Sequence, residues 1–231
     1  MQKQKFYRLA DFLAMCLLLQ FAFVISLNAQ DSKEIKPEMK VVDIELGNRE
    51  SAEKFLSNGY HPKVEEDGRA SYYFYNEWGS QVMRLTAPSV EDKYFITEIE
   101  VYRVSEKYRE RHYQAEEIKY FQTENGIFIG FKQSAMYFLA GVQNAGSLNI
   151  VKPKNLIKIK GEPNVRNKAD KKYETLIYKI PNIKLSDGKT DASYEASYEF
   201  YKNTLKRFTL KIAPNEKNLA KEKEEKKKAD L

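Results

Sequence analysis

Cysteine is nearly absent: Cys16 is the only one in 231 residues, and it lies in the apolar run near the N-terminus. Once that run is removed, disulfides, thiol chemistry and cysteine-held metals are excluded, so the core must stand on packing alone, which about 200 residues permit. Histidine is almost as scarce. His61 sits in NGYHPK and His112 in KYRERHYQAEE, and neither has a second histidine at the spacing of a zinc site, which needs three or four converging ligands. No metal and no cofactor is expected. The ten glycines are isolated, which leaves no phosphate-cradling loop. No serine stands in a Gly-x-Ser-x-Gly elbow, and no catalytic residue is assigned. After Leu27 no apolar run approaches the roughly 20 residues needed to cross a bilayer, so no transmembrane span is expected after cleavage of the leader.

What the N-terminus does have is the order of a secretory signal. Lys3, Lys5 and Arg8 precede an apolar run from Phe12 to Leu27, interrupted by Gln20, and Ala29 is the expected last residue removed. LAMC, ending at Cys16, departs from a lipoprotein box, because Met15 is too large and the residues after Cys16 stay apolar. The protein is therefore expected to be exported, periplasmic or secreted, with residues 1–29 as signal and 30–39 as a flexible leader containing Pro37. At the other end residues 215–231 alternate both charges with almost nothing to bury, which describes a disordered tail. Its one expected partner is a weak electrostatic contact with an anionic envelope surface. The formal charge of +6 includes Lys3, Lys5, Arg8 and Asp11, so only a modest positive excess survives cleavage. No nucleic acid partner is expected from that balance.

Between the ends, hydrophobic periodicity predicts an α+β fold of two tandem units, each with one or two helices packed on an antiparallel sheet. The first unit, 40–104, opens with Asn48 as N-cap and Ala52, Phe55 and Leu56 at helical spacing, with Gly59 as the stop. Strands follow: Tyr72 and Phe74 alternate with Tyr73 and Tyr75, Gly79-Ser80 offers a turn into QVMRLTAP, and Phe95, Ile99 and Val101 share a face. A connector, 105–125, leads to the second unit, 126–214. There GFKQSAMYFLAG predicts a helix with Ala135, Phe138, Leu139 and Val142 on one face. The strands are KYETLIYKI, ASYEASYEF and LKRFTLKIAP, with Tyr194, Ala196, Tyr198 and Phe200 on one side of the second and Phe208, Leu210 and Ile212 on one side of the third. One sheet face should rest on helices and the other meet water.

The halves echo each other in two ways. Gly47, Ser51, Ala52, Phe55 and Leu56 match Gly130, Ser134, Ala135, Phe138 and Leu139, and Phe74, Tyr75, Ala87 and Pro88 match Phe200, Tyr201, Ala213 and Pro214. In a competing alignment KNLIKIKGEP matches AEKFLSNGYHP, because each runs from a mixed apolar segment into glycine and then proline. That version places a second, shorter helix near Asn155 to Ile159, although NLIKIK also alternates like a strand. Ser51 and Ser134 fall in first helical turns and read as caps.

The stretch from GIFIGFKQSAMYFLAG through LIKIKGEP to aromatic strands resembles the small periplasmic domain of outer-membrane assembly lipoproteins of the SmpA/OmlA type. A tandem pair of such units resembles the β-lactamase-inhibitory protein architecture. Ile129, Gly130 and Gly161-Glu162-Pro163 carry the likeness; Ser134 lies two places later than that pattern wants, and Lys160 stands where leucine is usual. The resemblance implies a binding role, not an enzyme.

Tyrosine is the informative excess, at 16 residues. With Phe74 and Phe200 inward, alternation turns Tyr73, Tyr75 and Tyr201 to the opposite face, where broad rings with polar tips suit a protein partner. These three are the predicted partner-binding residues. Two other readings stand beside this one: a small exported hydrolase acting on glycans through paired carboxylates in a cleft, and an envelope assembly or structural accessory.

Overall fold

A computed structural model describes residues 36–57, 59–104, 113–115, 117–129 and 152–215. The strands are β1 (Lys40–Val41), β2 (Ile44–Glu45), β3 (Lys63–Val64), β4 (Ala70–Tyr75), β5 (Gln81–Ala87), β6 (Glu98–Arg103), β7 (Tyr113–Gln114), β8 (Val165–Lys168), β9 (Tyr173–Lys184), β10 (Asp191–Tyr201) and β11 (Thr204–Pro214). The helices are α1 (Arg49–Leu56), between β2 and β3, and α2 (Pro153–Lys160), before β8.

The expectation of an α+β fold with helices layered on two sheets is overturned. Nine strands form one sheet in the order β3-β4-β5-β6-β11-β10-β9-β8, with β7 pairing β4, and the described helices have only eight residues each. An eight-residue helix is about 12 Å long, whereas an eleven-residue strand such as β10 runs about 36 Å. Two such helices cannot floor the sheet, and among the described residues short strands and loops do most of that work: Val41 of β1, Ile44 of β2, and Leu46, Phe95, Ile96, Phe121, Ile127 and Ile129 of the loops are all buried in the core. The fold is largely β.

The inward apolar sets follow the period of two that the sequence carries, most cleanly in β10, although β4, β5 and β6 are buried on much of both faces. Tyr72 and Phe74 of β4, Met83 and Leu85 of β5, Ile99 and Val101 of β6, and Phe208, Leu210 and Ile212 of β11 are buried on one side. Tyr194, Ala196, Tyr198 and Phe200 continue that side along β10. The two meanders meet where β6 pairs antiparallel with β11, Val101 opposite Phe208 and Ile99 opposite Leu210. The order α1-β3-β4-β5-β6 is then repeated as α2-β8-β9-β10-β11, which follows the competing alignment of AEKFLSNGYHP with KNLIKIKGEP. The alternating NLIKIK is helical. The segment GFKQSAMYFLAG, including Ser134, lies outside the described residues.

α1 starts as its sequence dictates, with the Asn48 side chain accepting from the Ser51 amide at 3.2 Å. It ends at Leu56, three residues before Gly59, on a right-handed Ser57. Gly47, at φ +72, has a different necessity: a Cβ there would come within 2.6 Å of Leu185.

α2 is held by an ion pair that its sequence gives little reason to expect. Lys160 and Glu38 are both buried and meet at 3.2 Å. Lys160 also donates to the Lys36 carbonyl, and Asn125 donates to the same Glu38 carboxylate oxygen at 2.6 Å. The Tyr194 hydroxyl completes the attachment, accepting from the Glu38 amide and donating to its carbonyl. The end of the expected flexible leader is thereby fixed inside the fold. Burial depresses the Lys160 ammonium, against the pull of Glu38. Removing one member of such a pair strands the other charge away from water. Lys160→Met is therefore expected to lower the unfolding free energy by about 3–5 kcal/mol in urea titrations, and the double change Lys160→Met/Glu38→Gln to recover a large part of that loss.

Candidate binding face

The side of the sheet turned away from the core presents three transverse rows set by strand register. One runs Tyr75, Val82, Tyr102, Arg207, Glu199, Thr175, Asn167; the next Tyr73, Arg84, Glu100, Thr209, Ser197, Ile177, Val165; the third Ser71, Thr86, Glu98, Lys211, Glu195, Lys179. All three predicted tyrosines lie on this face. Because β6 and β11 pair, the face is continuous from β4 to β9. Tyr75 and Tyr201 both end their strands at the same end of the sheet, four strand spacings or about 20 Å apart.

The face is not uniformly wet. Over β4, β5 and β6 it is largely closed: Ser71, Val82, Thr86, Glu98 and Glu100 are buried there. Arg84 lies between Glu98 and Glu100 and bonds both, the second at 3.1 Å. Arg207 binds the other oxygen of Glu100 at 3.1 Å and sits 5.6 Å from the Tyr102 ring centre. Arg69 approaches Glu98 at 3.7 Å. Glu98 and Glu100 are the acidic pair that a hydrolase reading would want, yet each is held by guanidinium groups, which neutralise the pair in place.

Tyr73 is half-buried, and its hydroxyl donates to Glu65 at 2.7 Å, tying the turn after β3 to β4. Burial, reinforced by the Glu65 bond, pushes this phenol up to about 12. Tyr75 is half-buried beside Val82. Tyr201 lies against Tyr173, with ring centres 4.7 Å apart, and the Lys202 ammonium stands 5.3 Å from its ring. Tyr173 is 53% exposed, making this ring pair the open aromatic part of the face. Tyr173 was missed by sequence reasoning; its signal was a tyrosine opening the strand KYETLIYKI, but its pairing with Tyr201 is a matter of register.

Other candidate residues are accounted for locally. The Ser51 hydroxyl donates to the Asn48 carbonyl and accepts from the Glu45 amide, so it closes a helix start. It borders a cleft of about 480 Å³ on the opposite side of the sheet, lined also by Asp43, Lys54, Phe55, Tyr60 and Gln114. His61 is exposed, with its backbone bonded in both directions to the Tyr113 hydroxyl, and His112 lies outside the described residues. Among the described residues no group of three histidine, cysteine, aspartate or glutamate side chains could hold a metal, and no helix is long and apolar enough to cross a membrane.

Burial raises the Glu100 carboxyl above its ordinary range, opposed by Arg84 and then Arg207. The folded state therefore holds this proton more tightly than the unfolded chain. Ionising Glu100 costs stability, a cost absent at low pH that builds as pH rises through the raised value. Relative to the parent, Glu100→Gln should gain stability as pH rises from about 4 to about 7, measured by denaturant unfolding at each pH; a pH-independent difference would contradict this.

No protein-family model matches the chain, and comparison with curated proteins and with solved structures likewise finds no match.

Proposed function

We propose that this protein is an exported, non-enzymatic binding module that holds a protein partner on the outer face of its sheet, with Tyr75 and Tyr201 as anchors and Tyr73 beside them. The observation that carries the reading is the Tyr201–Tyr173 pair, which lies on the same face and at the same end of the sheet as Tyr75. Rings on a strand scaffold lose little conformational freedom on binding, and their polar tips tolerate a wet rim. Arg207 over Tyr102, held by Glu100, lies between the two anchors. The role implied by the likeness to periplasmic binding domains points the same way. An envelope assembly accessory would use the same face and differ in where its partner resides.

Two measurements test this. Capture of partners from the protein's native envelope or secretions should fall at least tenfold with Tyr75→Ala/Tyr201→Ala, as expected for the loss of anchor residues worth about 2 kcal/mol or more, while the thermal unfolding profile stays close to the parent's. Undiminished capture would place the partner elsewhere. N-terminal sequencing of the mature protein should begin at Gln30, after Ala29; an uncleaved Met1 would end the export reading.

A further inference from the structure

Among the described residues the sheet ends at β8, and no described strand pairs with its outer edge. β8 is the last strand in the order, and all four of its residues are exposed. Past β8, the neighbouring strand β9 runs on to Lys184, but there its outer edge is shielded. The Lys179 amide donates to the Asn164 side chain at 2.5 Å, Pro181 has no N–H to offer, and the register with β10 shifts between Ala192 and Tyr194. Shortness, charged side chains, proline and bulges are the usual means of blunting an edge. β8 is four residues long and carries Arg166 and Lys168, charges that repel a basic or apolar strand and admit an acidic one, but it has neither proline nor bulge: its register with β9 runs without a break from Val165 opposite Ile177 to Lys168 opposite Glu174.

The edge is also held still. α2 is pinned by buried Leu156 and by the Lys160–Glu38 pair. The chain leaves α2 through Gly161, at φ +86, whose carbonyl accepts from the Tyr178 hydroxyl at 3.2 Å. Pro163 then leads into β8. An extended ligand meeting such an edge orders itself but not its host.

Side-chain alternation along β8 defines what would fit. Arg166 and Lys168 lie on one face of the strand, while Val165, 37% exposed, lies on the other beside half-buried Ile177. Lys171 and Lys172 follow in the turn to β9. The carboxylates near these cations are Glu174, bonded to Arg166, Asp170, whose side chain accepts from the Lys172 and Tyr173 amides, and Glu162, which with Arg166 acts on Tyr178. Four cations thus face three carboxylates, with Arg166 paired to Glu174 and Lys168 the cation of β8 beside it. We propose that β8 receives an extended peptide strand in which acidic residues alternate with apolar ones, its backbone completing the sheet edge, its carboxylates over Arg166 and Lys168 and its apolar side chains over Val165 and Ile177. This rests on the reading of the protein as a protein-binding module but uses a different part of the sheet from Tyr75 and Tyr201.

The test uses the full chain and a synthetic peptide alternating glutamate with valine, beside counterparts carrying lysine for glutamate and proline for the central valine. Fluorescence anisotropy and backbone amide exchange are read together. The glutamate peptide should bind saturably and slow exchange in Val165–Lys168, and the proline peptide should not bind. Arg166→Glu/Lys168→Glu should weaken the glutamate peptide at least tenfold and strengthen the lysine peptide, with the strand content retained by circular dichroism; Asn167→Pro should abolish both. Tyr75→Ala/Tyr201→Ala should leave peptide binding intact. No saturable binding, or binding indifferent to charge reversal, would overturn the proposal. Loss of binding in the tyrosine variant alone would also overturn it, while leaving the face as the functional surface. Equal competition by heparin without amide protection at β8 would reduce the site to a basic patch and overturn it as well.

Discussion

The continuous outer face of the described sheet depends on the pairing of β6 with β11. Five residues of one strand, Glu98 to Tyr102, lie opposite five of the other, Lys211 to Arg207. The register puts Ile99 and Val101 against Leu210 and Phe208, so the apolar sets of both meanders fuse into one core. A slip of one residue would drive Glu100 into that core and Val101 out of it. The same register sets Arg207 beside Tyr102 and within reach of Glu100 on the outer side. One pairing therefore fixes a shared interior and a shared outer surface.

A sheet this wide needs its inner side covered, and the two described helices, of eight residues each, cannot do it. Loops that carry isolated apolar residues fill the space, and they are tethered by polar contacts made at depth. The Lys160–Glu38 pair is the deepest of these, gathering the approach to β1, the loop at Asn125, α2 and Tyr194 of β10 at one point. A buried pair of this kind contributes little net stability compared with an apolar equivalent. The pair ties α2 to the approach to β1, and the turn at Gly161 then delivers β8 to the sheet edge. The helices of this protein thus act as pins for the strands that follow them.

The outer face divides into a closed half and an open half for a physical reason. Over β4 to β6 the outer side chains are buried, Ser71, Val82 and Thr86 beside Glu98 and Glu100, with Arg84 folded between the two carboxylates. Over β9 and β10 charged side chains reach water, as in the Lys179–Glu195 pair at 2.9 Å, and Tyr173 is exposed beside half-buried Tyr201. A ligand held at Tyr75 and Tyr201 meets a half-buried ring at the closed end of the face and the exposed Tyr173 ring at the open one.

Strand alternation was legible residue by residue. Tyr72 and Phe74 inward, Tyr194 to Phe200 inward, and Phe208, Leu210 and Ile212 inward follow from a period of two, and so does the placement of Tyr73, Tyr75 and Tyr201 on the reverse side. The Asn48 cap was legible as well, because a cap bonds within three residues of itself. The share of helix was not, since a short amphipathic phrase such as RESAEKFL announces a helix but not how much sheet it must cover. Nor was the burial of Lys160 and Glu38: each is an ordinary surface residue type, separated by more than a hundred positions, and only the folded chain brings them together. What the sequence by itself determined was which side of each strand faces the core, because that depends on local periodicity alone. Whether the two meanders made two sheets or one, which tyrosine met Tyr201, and which strand was left at the edge were decided by long-range register, which no local pattern encodes.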